Sequence, residues 1–440
     1  MKSPNDSKTA AANEKLAIDG GTPVRTEPIP LEFPGVHYMD EQEVEAAVRV
    51  VRSRSLFRYY GVALGKETEA FEAEFAAFLG VNHVIAVNSG TGALHLSLTA
   101  LGVGPGQEVI IPAYLWVTVA AAVVNLGAIP VLGDIDETFC LDPAAVEKAI
   151  TPRTTGIIVV HMSGAPANIT ALVSLARRRG LFVLEDCAQC AGGSVGGRKV
   201  GTFGDMGIYS FQMNKNMTSG EGGAIVTNDA RLYDRAFASH DTGYARDKKG
   251  RAIFDNMDLC LWGRGYRMDE LRAAILRVQL RKLPRIVSAM HSSKYKFREA
   301  LSGYPRVRLR KIVDTEGDTG CFLIFSFETP AAAIEVNRAL RAEGIVTYPQ
   351  GMNDVVMTSF GLHLYYNIPS LVNKTSVDKR GTPWKLSENK ASTTTYNKGT
   401  CPVADSLFER SILLSVPSNL TPKDDEDILH ALHKVLSRHG

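Results

Sequence analysis

The sequence predicts an α/β protein whose mainly parallel sheet belongs to a large domain, followed by a smaller C-terminal α/β domain. Apolar, strand-like segments alternate with helical ones between residues 84 and 227. These segments lack polar alternation, which is typical of parallel strands covered on both faces. The chain has 440 residues, which is long enough for two such units, and its 45% hydrophobic and 22% charged residues are typical of a globular protein.

Seven short apolar segments are the predicted strands, and their order along the chain is 84–87, 108–111, 129–132, 156–160, 181–184, 207–211 and 222–227. The regions between them carry helical patterns at 90–100, 117–125 and 169–179. Upstream, apolar residues at helical spacing predict a helix over 41–51. In sheets of this kind, ligands bind at the carboxyl ends of the strands. The loops that follow the strands are therefore the expected position of a site.

The second half of the chain has fewer strands and a different composition. We predict a long helix running from about 271 towards 301, a strand at 322–327, a helix at 331–342 and a closing helix at 425–436. The expected organisation is a disordered tail over 1–15, a large domain over 16–285 and a small domain over 286–440. A polar insertion at about 370–400 is either a lid or a surface loop without that role.

Charge and hydropathy exclude two classes of partner. The net charge of +2 arises from 49 basic and 47 acidic residues mixed along the chain, so no broad basic face for nucleic acid is expected. The most apolar run, 117–132, is interrupted by Asn125, Gly127 and Pro130 and predicts a buried helix and strand rather than a membrane span. The polar first residues lead into no secretory core, which favours the cytoplasm.

Six cysteines are few for this length and argue against a disulfide scaffold. Cys187 and Cys190 have the spacing of a metal half-site, yet no second pair follows at the required distance. We therefore interpret them as two reduced thiols beside a strand end, and we predict no metal site.

Lys215 is the residue around which the predicted site is organised. It lies on the connection between the strands at 207–211 and 222–227. Asp186 and Gln189 follow another strand, and Trp116 opens the connection after a third. Taken singly, Lys215 is explained as a solvated surface lysine, and Asp186 is explained as an aspartate that caps a helix. Their common position at strand ends favours a shared function.

These residue types suit a phosphorylated, aromatic cofactor. Gly90 and Thr91 open a helix, whose N-terminal N–H groups and dipole attract a phosphate, and the Ser210 hydroxyl adds a donor if the strand ends adjoin. An ionised Asp186 would stabilise a protonated pyridine nitrogen, which makes the ring an electron sink. Gln189 would donate a hydrogen bond to a ring oxygen, and Trp116 would stack on the ring face. Lys215 would supply the amine.

Five motifs together resemble the DegT/StrS family of sugar and cyclitol aminotransferases that depend on pyridoxal phosphate. They are Ser89 to Thr91, Pro112 to Thr118, Glu185 to Gln189, Ser210 to Lys215 and Gly220 to Gly223. The resemblance implies fold type I with a seven-stranded large-domain sheet, and a homodimer with shared active sites. It also implies an amino donor, glutamate or glutamine, and a sugar-like keto or aldehyde acceptor: a nucleotide sugar, a cyclitol or a higher sugar acid.

The resemblance also assigns residues to roles. Lys215 matches the Schiff-base lysine, Asp186 the partner of the ring nitrogen, Gln189 the contact to the ring hydroxyl and Trp116 the stacking residue. Gly90, Thr91 and Ser210 match the phosphate cradle. The family often has an asparagine where this chain has Gly265, so the contact of that residue with the neighbouring subunit's phosphate must be replaced, by Arg264 or by a backbone N–H.

Three residues are candidate substrate contacts: Arg58, Tyr60 and His161. Arg58 lies in an aromatic-flanked loop, where it would grip a carboxylate or instead be a surface or stacked arginine. Two other functions compete with transamination. One is a sugar dehydratase of the same fold, which Lys215 disfavours because those relatives carry histidine there. The other is a catalytically silent binding or sensor protein, which the joint retention of Lys215, Asp186 and Gln189 argues against.

Overall fold

The computed structural model describes residues 14–247, 251–346 and 354–439. Residues 1–13, which make up most of the predicted disordered tail, lie outside the described residues. Glu14, also assigned to that tail, is part of the structure, and its Oε2 lies 3.0 Å from His430 Nε2 in the closing helix. Within the described ranges, no helix is both long and apolar enough to cross a membrane.

A seven-stranded sheet forms the larger unit, as predicted. Its strands are β1 (His83–Val87), β2 (Glu108–Pro112), β3 (Ile129–Gly133), β4 (Thr154–Val160), β5 (Phe182–Asp186), β8 (Met206–Ser210) and β9 (Gly223–Thr227), and a small hairpin, β6 (Ser194–Val195) and β7 (Arg198–Lys199), lies apart from them. The order across the sheet is β1-β9-β8-β5-β4-β2-β3. β9 pairs antiparallel with both of its neighbours, and the other pairs are parallel.

Helices cover both faces of this sheet, which is why its strands are apolar throughout. In chain order they are α1 (Glu41–Ser53), α2 (Glu67–Leu79), α3 (Gly90–Ala100), α4 (Val117–Asn125), α5 (Pro143–Ala149), α6 (Ile169–Arg179) and α7 (Ala230–His240). Phe71 and Phe75 of α2 pack on one face against Tyr209 of β8. On the other face, Leu94 and Leu98 of α3 belong to the cluster that includes Ile208.

The long predicted helix is α8 (Glu270–Ser302), and it joins the two units without a break. Its first half contacts α1 and α2, and its second half contacts the closing helix α12 (Pro422–His439). The domain boundary at 285 therefore falls inside one continuous helix. Since both halves of α8 are packed, the division of the chain at that residue stays a prediction.

The second unit is an antiparallel sheet with helices on it. Its strands are β10 (Arg308–Leu309), β11 (Phe322–Ser326), β12 (Asp354–Val356) and β13 (Ser411–Ser415), in the order β10-β11-β13-β12, with α9 (Pro330–Ala342) and α12 packed beside them. Two short helices, α10 (Pro369–Val372) and α11 (Pro402–Glu409), lie between α9 and α12 in the chain. Leu16 and Ile29 belong to the same hydrophobic cluster as Leu323 and Leu432. The segment that contains Leu16 and Ile29 thus packs with this smaller unit, although the prediction assigned the chain from residue 16 to the larger one.

The polar insertion lies against the outer edge of the larger sheet. The Tyr396 hydroxyl donates to the Pro130 carbonyl on edge strand β3, and the Asn389 amide donates to the Gly127 carbonyl at 2.9 Å. Asn389 also accepts a hydrogen bond from Gly106 N–H at 2.7 Å. Because an exposed strand edge invites pairing with other chains, a covering segment protects it. The contacts hold the insertion at this edge, and its role as a lid or as a surface loop without that role stays a prediction.

Two glycines allow α3 to begin directly against the ends of β8 and β9. A Cβ on Gly90 would lie 2.8 Å from Ser210 Cβ, and one on Gly223 would lie 2.5 Å from the Ser89 carbonyl oxygen. Contacts this short force backbone to move, so these positions accept no side chain. The close approach places the N-terminus of α3 beside Ser210.

We expect Gly223→Ala to lower the free energy of unfolding by about 1–3 kcal/mol, because its methyl group meets backbone that cannot move independently. Gly104→Ala is the matched control, since a Cβ there meets nothing within 4 Å. Urea unfolding of both variants beside the wild type measures the difference. Equal midpoints for the two variants would contradict the packing argument.

Candidate active site

A cavity of about 530 Å³ opens at the carboxyl ends of the strands of the larger sheet. Its lining includes all seven residues that the sequence assigned to a cofactor, namely Gly90, Thr91, Trp116, Asp186, Gln189, Ser210 and Lys215. They come from four separate connections, those after β1, β2, β5 and β8, which the topology brings to one edge. The fold therefore brings together residues that are up to 125 positions apart, from 90 to 215.

One end of the cavity is suited to an anion. Ser89 caps α3, and its Oγ accepts a hydrogen bond from Gly92 N–H at 3.0 Å. The first N–H groups of a helix have no partner within the helix, and the dipole adds positive potential there. Gly90 and Thr91 supply those groups, and the Ser210 side chain adjoins them. A phosphate fits this end of the cavity.

Asp186 lies at the end of β5 and is only 4% exposed. Its carboxylate accepts a hydrogen bond from Ala188 N–H at 2.9 Å. Burial raises the pKa of the Asp186 carboxyl above its usual range, and this hydrogen bond and the charge of Lys215 oppose the shift. A buried carboxylate gains most from a nearby cation, so a protonated pyridine nitrogen fits this position.

Lys215 is held by its backbone while its side chain lies in the cavity. Its N–H donates to the Gln212 carbonyl at 3.0 Å, and its carbonyl accepts from Gly35 N–H at 3.1 Å. Burial lowers the pKa of the Lys215 amine, and the negative charge of Asp186 opposes that shift. A lowered pKa leaves more of the amine unprotonated at neutral pH, which is the form that attacks a carbonyl.

Gln189 is fixed by the loop that follows β4. Its Oε1 accepts a hydrogen bond from Ser163 N–H at 3.0 Å. Ser163 has a φ of 53°, a left-handed conformation that non-glycine residues seldom adopt. The Tyr114 hydroxyl lies 2.8 Å from Ser163 Oγ and helps to hold that conformation. The amide oxygen of Gln189 therefore faces the backbone of this loop.

Sequence reasoning missed the wall contributed by the C-terminal half, which comprises Cys321, Phe322, Phe360, His363 and Val416. His363 Nε2 lies 3.4 Å from Gln189 Nε2, and the His363 ring is 4.8 Å from the Trp116 ring. Leu115 N–H donates to the His363 carbonyl at 3.0 Å, so this segment pairs with the loop before Trp116. No local sequence pattern signals a contact across almost 250 residues.

The three predicted substrate contacts do not line the cavity. The Arg58 guanidinium pairs with Glu72 at 2.9 Å and lies over the Tyr59 ring, so the stacked alternative describes it. Tyr60 is largely exposed on the surface of the chain. His161 is fully buried behind Asp186, where its backbone N–H donates to the Asp186 carbonyl at 3.0 Å. A substrate role for these residues stays a prediction.

His161 belongs to a buried hydrogen-bond network below the cavity. Its Nδ1 accepts from Ala167 N–H at 3.1 Å, so its Nε2–H donates to Glu185, 3.0 Å away. Glu185 also accepts from three backbone N–H groups, those of Gly201, Phe203 and Gly204. Cys187 lies close enough to His161 and Glu185 for the three to hold a metal. However, the filled acceptor sites of Glu185 fit a structural role.

Cys187 and Cys190 are buried and unpaired. Burial raises the pKa of both thiols well above the ordinary value, which keeps them protonated and unreactive. Their arrangement agrees with the interpretation as two reduced thiols beside a strand end.

The sequence model of the DegT/DnrJ/EryC1/StrS aminotransferase family matches residues 38–355, and the chain belongs to this family. The L-glutamine:2-deoxy-scyllo-inosose aminotransferase of Streptoalloteichus tenebrarius is 43% identical over 273 residues, which is 61% of this chain and 63% of that protein. Matches to scyllo-inosose aminotransferases cover 61% to 64% of those proteins' own length.

A longer match is found to the UDP-N-acetyl-3-dehydro-alpha-D-glucosamine 3-aminotransferase of Acidithiobacillus ferrooxidans, which is 34% identical over 86% of this chain and 90% of that protein. Among solved structures, S. venezuelae DesV in complex with a ketimine intermediate has a TM-score of 0.74 and 30% identity, over 93% of this chain and 99% of that one. The fold is that of the type I enzymes, and the cofactor that the family and this neighbour imply is pyridoxal phosphate.

The lowered pKa of Lys215 has a measurable consequence in the cofactor-free protein. We expect reductive methylation of Lys215 to reach half of its maximal rate at a lower pH than that of Lys398, because burial lowers the pKa of Lys215 whereas the neighbouring Glu409 raises the pKa of Lys398. Since Asp186 raises the pKa of Lys215, Asp186→Asn should move this midpoint lower still. Peptide mass spectrometry across a pH series measures both. Identical midpoints for Lys215 and Lys398 would contradict the argument.

Proposed function

We propose that this protein is an aminotransferase that moves an amino group from an amino acid, glutamine or glutamate, to a keto or aldehyde carbon of a sugar-like acceptor. One observation carries the proposal: an amine, a buried carboxylate and a helix N-terminus converge on one cavity, at Lys215, Asp186 and Gly90. These are the three groups needed to hold the aldehyde, ring nitrogen and phosphate of pyridoxal phosphate. The names of the relatives support the donor and the acceptor class.

When bound, pyridoxal phosphate supplies an aldehyde that condenses with amines and a ring that withdraws electrons from the substrate carbon. Gly90, Thr91 and Ser210 would hold its phosphate, and the Asp186 carboxylate would keep the ring nitrogen protonated. Gln189 would donate an amide N–H to the ring oxygen, and Trp116 would stack on the ring. These residues bind and orient the group, and none of them exchanges protons with the substrate.

Lys215 has two tasks in this proposal. Its Nζ anchors the cofactor between turnovers, and once the amino donor has displaced it, the same amine removes the proton from the donor α-carbon. Burial favours this second task because it lowers the pKa of Lys215 and leaves the amine able to accept a proton. In each half-reaction the amine would move one proton, from the donor α-carbon to the cofactor carbon in the first and from the cofactor carbon to the acceptor carbon in the second.

The two competing functions differ at identifiable residues. The dehydratases of this fold carry histidine where this chain has Lys215, and the amine found here supports transamination instead. A silent binding protein has no use for an amine whose pKa is lowered in the same cavity as a buried carboxylate. The six unpaired cysteines also support action in a reducing compartment, for which we propose the cytoplasm.

We expect the purified wild-type protein to bind pyridoxal phosphate with an absorption band above 400 nm, and glutamine or glutamate to convert it to a band near 330 nm. Addition of a keto acceptor should restore the first band. Lys215→Ala should bind the cofactor through the remaining contacts but lose both conversions. Borohydride reduction and peptide mapping should place the label on Lys215. A label on Lys199, or turnover in Lys215→Ala, would contradict the assignment.

A homodimer is part of the proposal, and exposed apolar side chains support it. Trp262 is 93% exposed, and Tyr60, Val62, Phe254 and Met257 are also largely exposed. A contiguous apolar patch on a surface marks an interaction site, and we propose that these side chains form part of one. Gly265 follows Trp262 closely, has a φ of 67° and has nothing within 4 Å of a Cβ, while Arg264 beside it is exposed. We propose that Arg264 replaces the family asparagine towards the neighbouring subunit.

Light scattering should give about twice the chain mass of 47.7 kDa. Trp262→Glu should shift the protein towards monomer, because a carboxylate at an apolar contact loses its hydration when buried. Val377→Glu, which changes another exposed apolar side chain in the polar insertion, is the matched control and should leave the mass unchanged. A fully active monomer would contradict the shared-site proposal.

A further inference from the structure

His363 has one defined tautomer, which follows from its neighbours. Its Nδ1 lies 3.1 Å from the Phe360 carbonyl oxygen, which can only accept, so Nδ1 carries the proton. Burial lowers the pKa of His363 to about 4, so the ring is neutral at physiological pH. Nε2 therefore presents a lone pair, and it does so towards the Gln189 amide.

The amide of Gln189 has only one orientation that satisfies both neighbours. Ser163 N–H can only donate, so the amide oxygen must face it, as it does at 3.0 Å. The amide nitrogen then faces the His363 lone pair at 3.4 Å and donates to it. A flipped amide would place its NH₂ group against Ser163 N–H, so that two donors face each other. It would also place its oxygen against the lone pair of His363 Nε2, so that two acceptors face each other. Each of those contacts leaves buried polar groups unpaired, which costs about 1–3 kcal/mol.

His363 cannot easily turn away from this position. Its ring stacks on Phe360 with centroids 4.1 Å apart and lies against Trp116 on another side. Its backbone carbonyl accepts from Leu115 N–H, and Tyr365 N–H donates to the Ala113 carbonyl at 3.2 Å. The imidazole is thus held by rings and by backbone pairing, and it acts as a rigid acceptor.

We propose that His363 is a positioning residue that locks the Gln189 amide with an N–H, and not its oxygen, available to the ring oxygen of the cofactor. An amide nitrogen has two hydrogens, and His363 takes one of them, so the second remains for the ligand. The proposal rests on the proposed function, because it assigns the cofactor contact to Gln189. It adds that the C-terminal half controls the polarity of that contact.

A double-mutant cycle on the holoenzyme tests this proposal. His363→Phe keeps a ring between Phe360 and Trp116 but removes the acceptor. We expect cofactor release to become about tenfold faster, and the absorption band above 400 nm and its pH midpoint to shift, because the ring oxygen loses an oriented donor. His363→Gln, which offers an acceptor oxygen again, should return release to within about twofold of wild type.

The same change in a Gln189→Ala background separates positioning from packing. If His363 acts through Gln189, His363→Phe should have no further effect on release or on the band in that background. An undiminished effect there, or an unchanged band and release rate in the single variant, would overturn the proposal. Should His363→Phe fail to fold, judged by circular dichroism, His363→Leu removes the same acceptor and takes its place in the cycle.

Failure of the proposed function has a different signature. In that case the wild type itself would show no band with pyridoxal phosphate and no reducible adduct on Lys215. A normal wild-type spectrum with an unaltered His363→Phe spectrum would reject the role of His363 alone.

Discussion

The burial of the Asp186 carboxylate at the end of β5 is the constraint on which the site depends. A carboxylate removed from water is unfavourable unless hydrogen bonds and positive charge compensate for it. The protein supplies one backbone N–H and the nearby amine of Lys215, and burial still raises the pKa of Asp186. In the proposed function, a cationic ring nitrogen supplies the remaining compensation. The same burial lowers the pKa of Lys215, so one physical cause prepares both the acid and the amine.

The layer beneath this carboxylate explains its rigidity. Glu185, the residue before Asp186, points to the other face of the strand, where His161 and three backbone N–H groups bind it. These contacts fix the backbone that carries Asp186. They also give His161 a structural partner and account for its absence from the cavity wall. Strand alternation thus separates the carboxylate that lines the cavity from the carboxylate that supports its backbone.

The C-terminal half of the chain completes the cavity and also supports it from behind. Arg310 is buried, and its guanidinium donates to the carbonyls of Thr138 at 2.7 Å and Met162 at 2.8 Å. It thereby holds the loop that contains Ser163, whose N–H orients Gln189. His363 reaches the same amide from the opposite side. Two distant residues of the second half therefore converge on one side chain of the first.

Local sequence patterns were enough to predict much of the fold and many of the residues of the candidate site. Apolar segments with glycines and polar residues at their ends predicted the seven strands, and the ends of those strands predicted Lys215, Asp186, Gln189 and the phosphate cradle. This is possible because strand ends in a parallel sheet share an edge whatever the packing details. Arg58, Tyr60 and His161 were less predictable, since an exposed, paired or buried side chain looks the same in sequence.

Only the tertiary structure decided that His363 meets Gln189, that Leu16 packs with the smaller unit and that the polar insertion covers β3. Each of these depends on contacts between segments far apart in the chain, for which no periodicity or motif exists.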